Sequence, residues 1–282
     1  TPLVFLIGSS LGNIGLDLLF VTVFDMGVAG VAWATFIAQG AACLLSLATL
    51  RRRLSRLETP EKSPLFSLEM LGRISRIAVP SILQQSFISV GNMFIQGLVN
   101  GYGSSVIAGY SAAVKLNTFA ITSFTTLSNG LSSFSAQNLG AGKIDRVRRG
   151  FWSGCLLAVC VVAPFTLVYG LFTDAAVRLF LDTTSRYALE IGCDFLRLVA
   201  PFYLVISVKL MADGILRGAG AMKSFMVATF TDLMLRVILA FLLSARLGTD
   251  GIWLSWPIGW TAAAVLSCAF YFAGRWKTRF LR

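Results

Sequence analysis

Asp17 carries the most pointed chemistry in this sequence. It sits between Leu16 and Leu18 inside a long apolar run, and Asn13 lies one helical turn before it. Side chains four residues apart on a helix share a face, so an amide and a carboxylate project together. A carboxylate in hydrocarbon costs about 2.5–3.5 kcal/mol on insertion scales, which marks such a residue as a functional candidate. Thr35 falls at comparable depth on the next, antiparallel helix, beyond the turn Gly27-Val-Ala-Gly30. A carboxylate, an amide and a hydroxyl converging there could bind Na⁺, since hard cations prefer oxygen ligands. Asp17 could instead take a proton, because a low-dielectric surrounding favours the neutral acid. A third reading makes it a structural aspartate, hydrogen-bonded across helices. Asn13, Asp17 and Thr35 are the candidate cation-binding residues, and Na⁺ at Asp17 is the one metal the sequence suggests.

A second set of polar residues could line a substrate cavity. Gln84, Gln85, Asn92 and Gln96 follow Pro80 in one apolar stretch. Lys115 and Asn117 lie in the next, among Ser111, Thr118, Thr122, Ser123, Thr125, Thr126, Ser128 and Asn129. Proline frees a carbonyl and permits bending, which suits a gating helix. So much hydroxyl and amide on one span makes either the wall of a watery cavity or a hydrogen-bonded seam between helices. Lys115 is either part of that wall or an ion-pair partner joining two helices. Gln84, Gln85, Asn92, Lys115 and Asn117 are the substrate-cavity candidates. Asp213 and Arg217, with Gly214, Gly218 and Gly220, read as a helix end and a tight turn. Lys209 and Arg236 either snorkel or pair with Asp213 and Asp232. Most of the 22 Phe and 6 Trp serve packing or face lipid; a minority lining a cavity would attract organic cations through their ring faces.

No catalytic constellation emerges. The chain has no histidine, no phosphate-binding GxxxxGK loop and no HExxH. Its five cysteines, Cys43, Cys155, Cys160, Cys193 and Cys268, fall in apolar stretches with no CxxC pair. Neither a zinc site nor a disulfide framework is expected. The chain reads as a non-enzyme without cofactors.

Membrane-spanning helices must position these residues. Hydrophobic residues make up 56% of the chain, charged residues 13%, and the mean hydropathy is +0.77. A soluble domain carries about 25% charge. Several stretches reach the roughly 20 apolar residues that cross a bilayer as a helix, and helices satisfy their own backbone in lipid. Eight spans are expected, near 3–24, 28–50, 76–99, 104–138, 150–172, 190–213, 222–245 and 252–274. The connections after the second, fourth and sixth, with the C-terminal tail, hold seventeen of the 24 basic residues. They run from Arg51, Arg52, Arg53, Arg56, Lys62, Arg73 and Arg76 through Lys143, Arg146, Arg148 and Arg149 to Arg217, Lys223, Arg275, Lys277, Arg279 and Arg282. The opposite connections hold only Arg178, Arg186 and Arg246. By the positive-inside rule the first set, and the C-terminus, are cytoplasmic. The net charge of +11 is thus a topology signal, and nucleic acid is not an expected partner. No charged region precedes the first span, so residues 1–24 read as a mid-protein helix rather than a signal peptide. Residues 51–75, with Pro60 and Pro64, read as a cytoplasmic linker between two bundles.

The chain also contains a weak repeat. Gly27-Val-Ala-Gly30 and Gly248-Thr-Asp-Gly251 both occupy short external turns, 221 residues apart. Asn13-x-x-x-Asp17 and Asp232-x-x-x-Arg236 stand 219 apart. Duplicated halves are common in secondary transporters. If spans three to eight form one six-helix half, spans one and two close an earlier half. Four helices, roughly 150 residues, are then expected before Thr1.

The run Asn13-Ile-Gly-Leu-Asp17-Leu-Leu-Phe20 with Gly27-Val-Ala-Gly30-Val-Ala-Trp-Ala-Thr35 resembles the fifth and sixth helices of MATE (multidrug and toxic compound extrusion) transporters. Pro80-Ser-Ile-Leu-Gln-Gln85, Ala112-Ala-Val-Lys115, Ala136-Gln-Asn-Leu-Gly-Ala-Gly-Lys143 and Gly214-Ile-Leu-Arg-Gly-Ala-Gly220 add to the resemblance, which covers essentially the whole chain. It implies an all-α polytopic membrane protein: eight helices of a twelve-helix, two-lobe transporter. Residues 1–50 would end the N-lobe, 51–75 link the lobes, 76–275 form the C-lobe, and 276–282 form a cytoplasmic tail. The implied function is multidrug efflux, exporting organic cations or other amphipathic compounds in antiport with Na⁺ or H⁺. In such proteins a helix-one aspartate joins an Asn, an Asp and a Thr of helices five and six at the N-lobe cation site. Asn13, Asp17 and Thr35 match the last three. No mid-span acid matches the C-lobe site that some members carry, since Asp213 lies near a span end. The expected setting is the bacterial plasma membrane, with lipid and small organic molecules as partners and a monomer as the working form. A lipid-linked oligosaccharide flippase of the same superfamily and a non-transporting membrane scaffold are the alternatives.

Overall fold

Helix is the only regular structure that the described residues adopt. A computed structural model describes residues 2–55, 66–181, 185–274 and 276–277. Arg56, Pro60, Lys62 and Pro64 of the linker, and Arg275, Arg279 and Arg282 near the C-terminus, lie outside them. Ten α-helices follow in order: α1 (Pro2–Leu18), α2 (Gly27–Leu54), α3 (Leu68–Asn100), α4 (Ser104–Gly140), α5 (Ile144–Leu171), α6 (Thr173–Arg178), α7 (Arg186–Val199), α8 (Tyr203–Gly218), α9 (Met222–Leu247) and α10 (Thr249–Phe272). The chain divides into a first unit, Thr1–Ser67, and a second, Leu68–Arg282. Helix α2 runs to Leu54 and α3 begins at Leu68, so both enter the 51–75 stretch from its ends.

Among the described residues, six helical stretches are long and apolar enough to cross a membrane: Val4–Val23, Gly27–Leu54, Ile144–Leu171, Arg186–Gly218, Met222–Leu247 and Thr249–Phe272. The first, second, fifth, sixth, seventh and eighth spans of the sequence reading correspond to these, while the third and fourth, α3 and α4, are not among them. The sixth proves to be two helices joined end to end, α7 and α8, through a 3-10 turn at Ala200–Phe202. Pro201 lacks the N–H that an unbroken helix would use there. Helices α3 and α4 reach 33 and 37 residues, and their glutamines, asparagines and hydroxyls make them more polar than those six stretches.

The first unit is a helical hairpin. Its turn needs Gly27 at φ +52°, a left-handed conformation that a side chain disfavours. Gly30 then lets α2 approach closely, for a Cβ there would meet Phe20 and Met26 Cβ at 3.0 Å. Directly after Asp17 and Leu18 the helix widens into a π turn, Leu19–Val23. Such turns are rare and recur at functional sites.

The second unit packs α4 against α7 and α8, α10 against α8 and α9, α5 across α4 and α8, and α3 against α9. Small residues set those distances. A Cβ on Gly109 would fall 2.2 Å from Ala188 O, and one on Gly218 2.4 Å from Ser132 O. Aromatic rings fill the larger core: Tyr110 stacks on Trp253 at 5.0 Å, and Phe195 meets Trp253 edge-on at 5.3 Å. A smaller cluster at the other end includes Phe151 stacked on Tyr271 at 4.2 Å.

Candidate functional site

Helix periodicity places Asn13 and Asp17 on one face of α1, and the Gly27 turn folds α2 back beside it. Asn13 Nδ2 donates to Thr35 Oγ1 across 3.4 Å, so the hairpin joins two of the three candidate residues. Asn13 and Asp17 are half-buried and Thr35 is exposed. Asp17 Oδ1 is buried and has no hydrogen-bond partner among the described residues. An unpartnered buried carboxylate oxygen is costly, and a cation or a proton would relieve that cost. The amide gives its N–H to Thr35, which leaves Asn13 Oδ1 as an acceptor beside the carboxylate. Three oxygen-bearing groups fall short of the roughly six that a hard cation takes, so a cation held here would draw further oxygens from elsewhere.

The matching hairpin of the second unit is built the same way and filled differently. Gly248, at φ +61°, makes its turn. A Cβ on Gly251 would lie 2.4 Å from the Leu243 carbonyl, which is the approach that Gly30 permits in the first hairpin. Asp232 and Arg236 replace Asn13 and Asp17, and they pair at 3.9 Å. At the position 221 residues after Thr35, Trp256 presents its ring 4.6 Å from the Arg236 guanidinium. Each hairpin leaves one buried carboxylate oxygen, Asp17 Oδ1 or Asp232 Oδ1, without a hydrogen-bond partner among the described residues, but the second alone sets a basic side chain against its acid.

One helix away, Lys209 and Asp213 pair at 2.9 Å. Ser267 Oγ of α10 donates to Asp213 Oδ1 at 2.6 Å. Asp213 lies near a helix end, as the sequence suggests, five residues before α8 stops at Gly218, and there α10 buries it at 2% exposure. Nothing in the local sequence announces Ser267 as its partner, since the two stand 54 residues apart. Arg217 does occupy the end of α8, bound to Asn129 Oδ1 at 2.7 Å.

The polar face of α4 is a seam on the side facing α8. Tyr203 OH donates to Asn117 Oδ1 at 3.1 Å, and Ser128 Oγ to Leu210 O at 2.6 Å. Asn117 is buried at 3% exposure, packed between helices rather than open to a cavity. Many other hydroxyls turn inward on their own helix: Thr125 bonds Ile121 O at 2.7 Å and Thr126 bonds Thr122 O at 2.8 Å. Lys115 has no ion-pair partner among the described residues. It borders a cavity of about 490 Å³ with Phe119, Phe165, Tyr169 and Phe180. Gln85 and Asn92 are exposed on α3 and Gln84 is half-buried, and the structure does not bring them to the Lys115 cavity. Gln96 Nε2 bonds Asn100 Oδ1 on the same helix at 2.9 Å.

Residues 80–242 match the MatE family model. Among curated proteins, the probable multidrug resistance protein YpnP of Bacillus subtilis is 30% identical over 279 residues, covering 98% of this chain and 62% of its own length. The multidrug export protein MepA of Staphylococcus aureus is 24% identical over 258 residues, covering 89% of this chain and 56% of its own. The chain therefore spans about three fifths of these relatives, from 56% to 62%. The solved outward-facing structure of a multidrug resistance MATE family transporter of the MOP superfamily superposes with a TM-score of 0.85 at 20% identity, over 96% of this chain and 61% of that one. The Vibrio cholerae MATE transporter VcmN does so at 0.86 and 19% identity, over 97% and 62%. At those identities the likeness establishes the fold.

Proposed function

The chain belongs to the MatE family, and on that premise we propose that it forms part of a twelve-helix antiporter that exports amphipathic small molecules in exchange for Na⁺ or H⁺. It is a multi-pass membrane protein and not an enzyme. The names of the relatives, multidrug resistance and multidrug export, support efflux of diverse compounds. The proposed setting is the bacterial plasma membrane, with the basic connections and the C-terminus inside.

One observation carries the reading: Asp17 Oδ1 is buried without a hydrogen-bond partner among the described residues, one helical turn from the Asn13–Thr35 hydrogen bond. An ion or proton bound there changes the local charge by one. Coupling requires that the bound cation favour one facing of the transporter over the other, because a ligand shifts a conformational balance only by its differential affinity. Asn13 and Thr35, on different helices, would register whether the hairpin geometry suits the cation. The π turn after Leu18 supplies a place where α1 can adjust.

The test is gradient-driven ethidium efflux by the full-length protein in proteoliposomes. Asp17→Asn keeps the shape and removes the charge and the titratable proton. Efflux is expected to fall to the rate of protein-free vesicles while expression and melting are preserved. Normal efflux by that variant would remove Asp17 from the mechanism.

A further inference from the structure

We propose that the cleft between α4 and α5 holds one anionic phospholipid, its headgroup in the basic pocket at the α4–α5 turn and one acyl chain along the glycine-lined groove beside it. The pocket, about 640 Å³, is bounded by Lys143, Arg146, Arg148 and Lys277, with Asp145 as its single acid. Arg148 is the residue that engages that acid, at 3.8 Å. Lys143, Arg146 and Arg149 have no acidic partner among the described residues, so the pocket holds unneutralised positive charge. Arginine forks fit phosphate oxygens two at a time, and basic pockets between membrane helices suit anionic headgroups.

The apolar part begins at the same arginine. Arg146 is shared with a second hollow of about 450 Å³, which continues past Arg149 and Gly150 to Phe134, Gly154 and Leu157. Phe134, Gly154 and Leu157 also border a third hollow of about 250 Å³ that reaches Gly130 and Met211. From Arg146 to Leu157 the groove follows eleven residues of α5, about 17 Å at 1.5 Å per residue. One leaflet of the hydrocarbon core is of similar depth, about half of 30 Å. Of the glycines along this groove, Gly130 borders open space, whereas Gly150 and Gly154 receive the Phe134, Leu131 and Met211 side chains. A Cβ on Gly130 would meet nothing within 4 Å, and the Phe134 ring lies across Gly150. A free phosphate would use the basic pocket alone. The joining of charge to an apolar groove on one residue selects a lipid.

The experiment is native mass spectrometry of the chain released from detergent after incubation with POPG, with POPC, or with POPG plus excess inorganic phosphate. One tightly retained POPG is expected, held about tenfold more strongly than POPC, since each basic residue near an anionic headgroup contributes appreciably. Arg146→Gln with Arg149→Gln should bring POPG retention down to the POPC level. Gly130→Leu fills the groove without changing charge, and it should lower retention of both lipids. Equal retention of POPG and POPC by the unaltered chain overturns the proposal. So does full POPG retention in either variant, with folding verified by circular dichroism. Displacement of POPG by phosphate would assign the pocket to a small anion and overturn it as well.

Discussion

Lys209 Nζ lies 2.9 Å from Asp213 Oδ2 on the same face of α8, and their side chains are 5% and 3% exposed. The pair is closed off by α10, whose Ser267 hydroxyl binds the other carboxylate oxygen. Asp232 and Arg236 of α9 make a second buried pair at 3.9 Å, and each of the two pairs carries no net charge. A buried pair of this kind contributes little over an apolar replacement, yet losing one member leaves the other uncompensated.

Asp213→Asn should therefore destabilise the second unit by about 3–5 kcal/mol, the cost of a stranded buried charge. The double change Lys209→Met with Asp213→Leu should recover most of that loss. Thermal melting of the detergent-solubilised chain gives the comparison. A double variant that melts as low as Asp213→Asn would refute the assignment of the lysine as the stranded group.

Glycine contacts give a second, graded expectation. A Cβ at Gly251 would press on the Leu243 carbonyl at 2.4 Å, and backbone has little room to yield. At Gly30 the same atom meets two Cβ atoms at 3.0 Å, and at Gly12 it meets nothing within 4 Å. Overpacking costs about 1–3 kcal/mol, so alanine should lower the melting temperature most at Gly251, less at Gly30 and hardly at Gly12. A uniform response across the three would mean that helix propensity, rather than close approach, sets the effect.

The buried bond between Tyr203 and Asn117 makes the third. Tyr203→Phe keeps the ring, which packs against Phe124 at 5.6 Å, and removes the donor to Asn117 Oδ1. An amide oxygen left unpaired in the interior costs about 1–3 kcal/mol. Chemical denaturation of the variant in micelles should show that loss. An unchanged midpoint would mean the amide finds another donor, and the α4–α8 seam would then owe its order to packing alone.

Hydropathy made the spans legible because the length and apolarity of a spanning helix are properties of a contiguous segment. The pairing of Lys209 with Asp213 was legible for the same reason, since i and i+4 share a face whatever surrounds them. The depth of Asp213 was not. It lies only five residues before the end of α8 at Gly218, and burial there comes from α10, which no local pattern in α8 encodes. The hydroxyls of α4 left two readings open because composition does not say where a hydroxyl donates. Ser128 reaches Leu210 O on another helix, while Thr125 returns to its own. The Asn13–Thr35 contact followed from the turn between their helices, whereas the unmatched oxygen of Asp17 needed coordinates.

The two matching hairpins yield the sharpest expectation, because Asp17 and Asp232, one turn apart in the alignment of Asn13–Asp17 with Asp232–Arg236, should respond to the same substitution with opposite signs. Asp232 belongs to an ion pair, with Arg236 at 3.9 Å and the Arg236 guanidinium held over Trp256. Asp232→Asn leaves that guanidinium without its anion in the interior, so melting should fall by several degrees, as a loss of a few kcal/mol implies. Asp17 has no basic partner among the described residues: Asn13 is engaged with Thr35, and Asp17 Oδ1 is buried without a hydrogen bond. Asp17→Asn replaces an unmatched buried charge by a neutral amide of nearly the same shape, so melting should hold or rise. A site that stores unfavourable charge until a cation arrives should behave in this way, at some cost to stability. If Asp17→Asn instead melts as low as Asp232→Asn, then Asp17 is held by a partner in the native chain, and the proposed cation site loses the observation on which it rests.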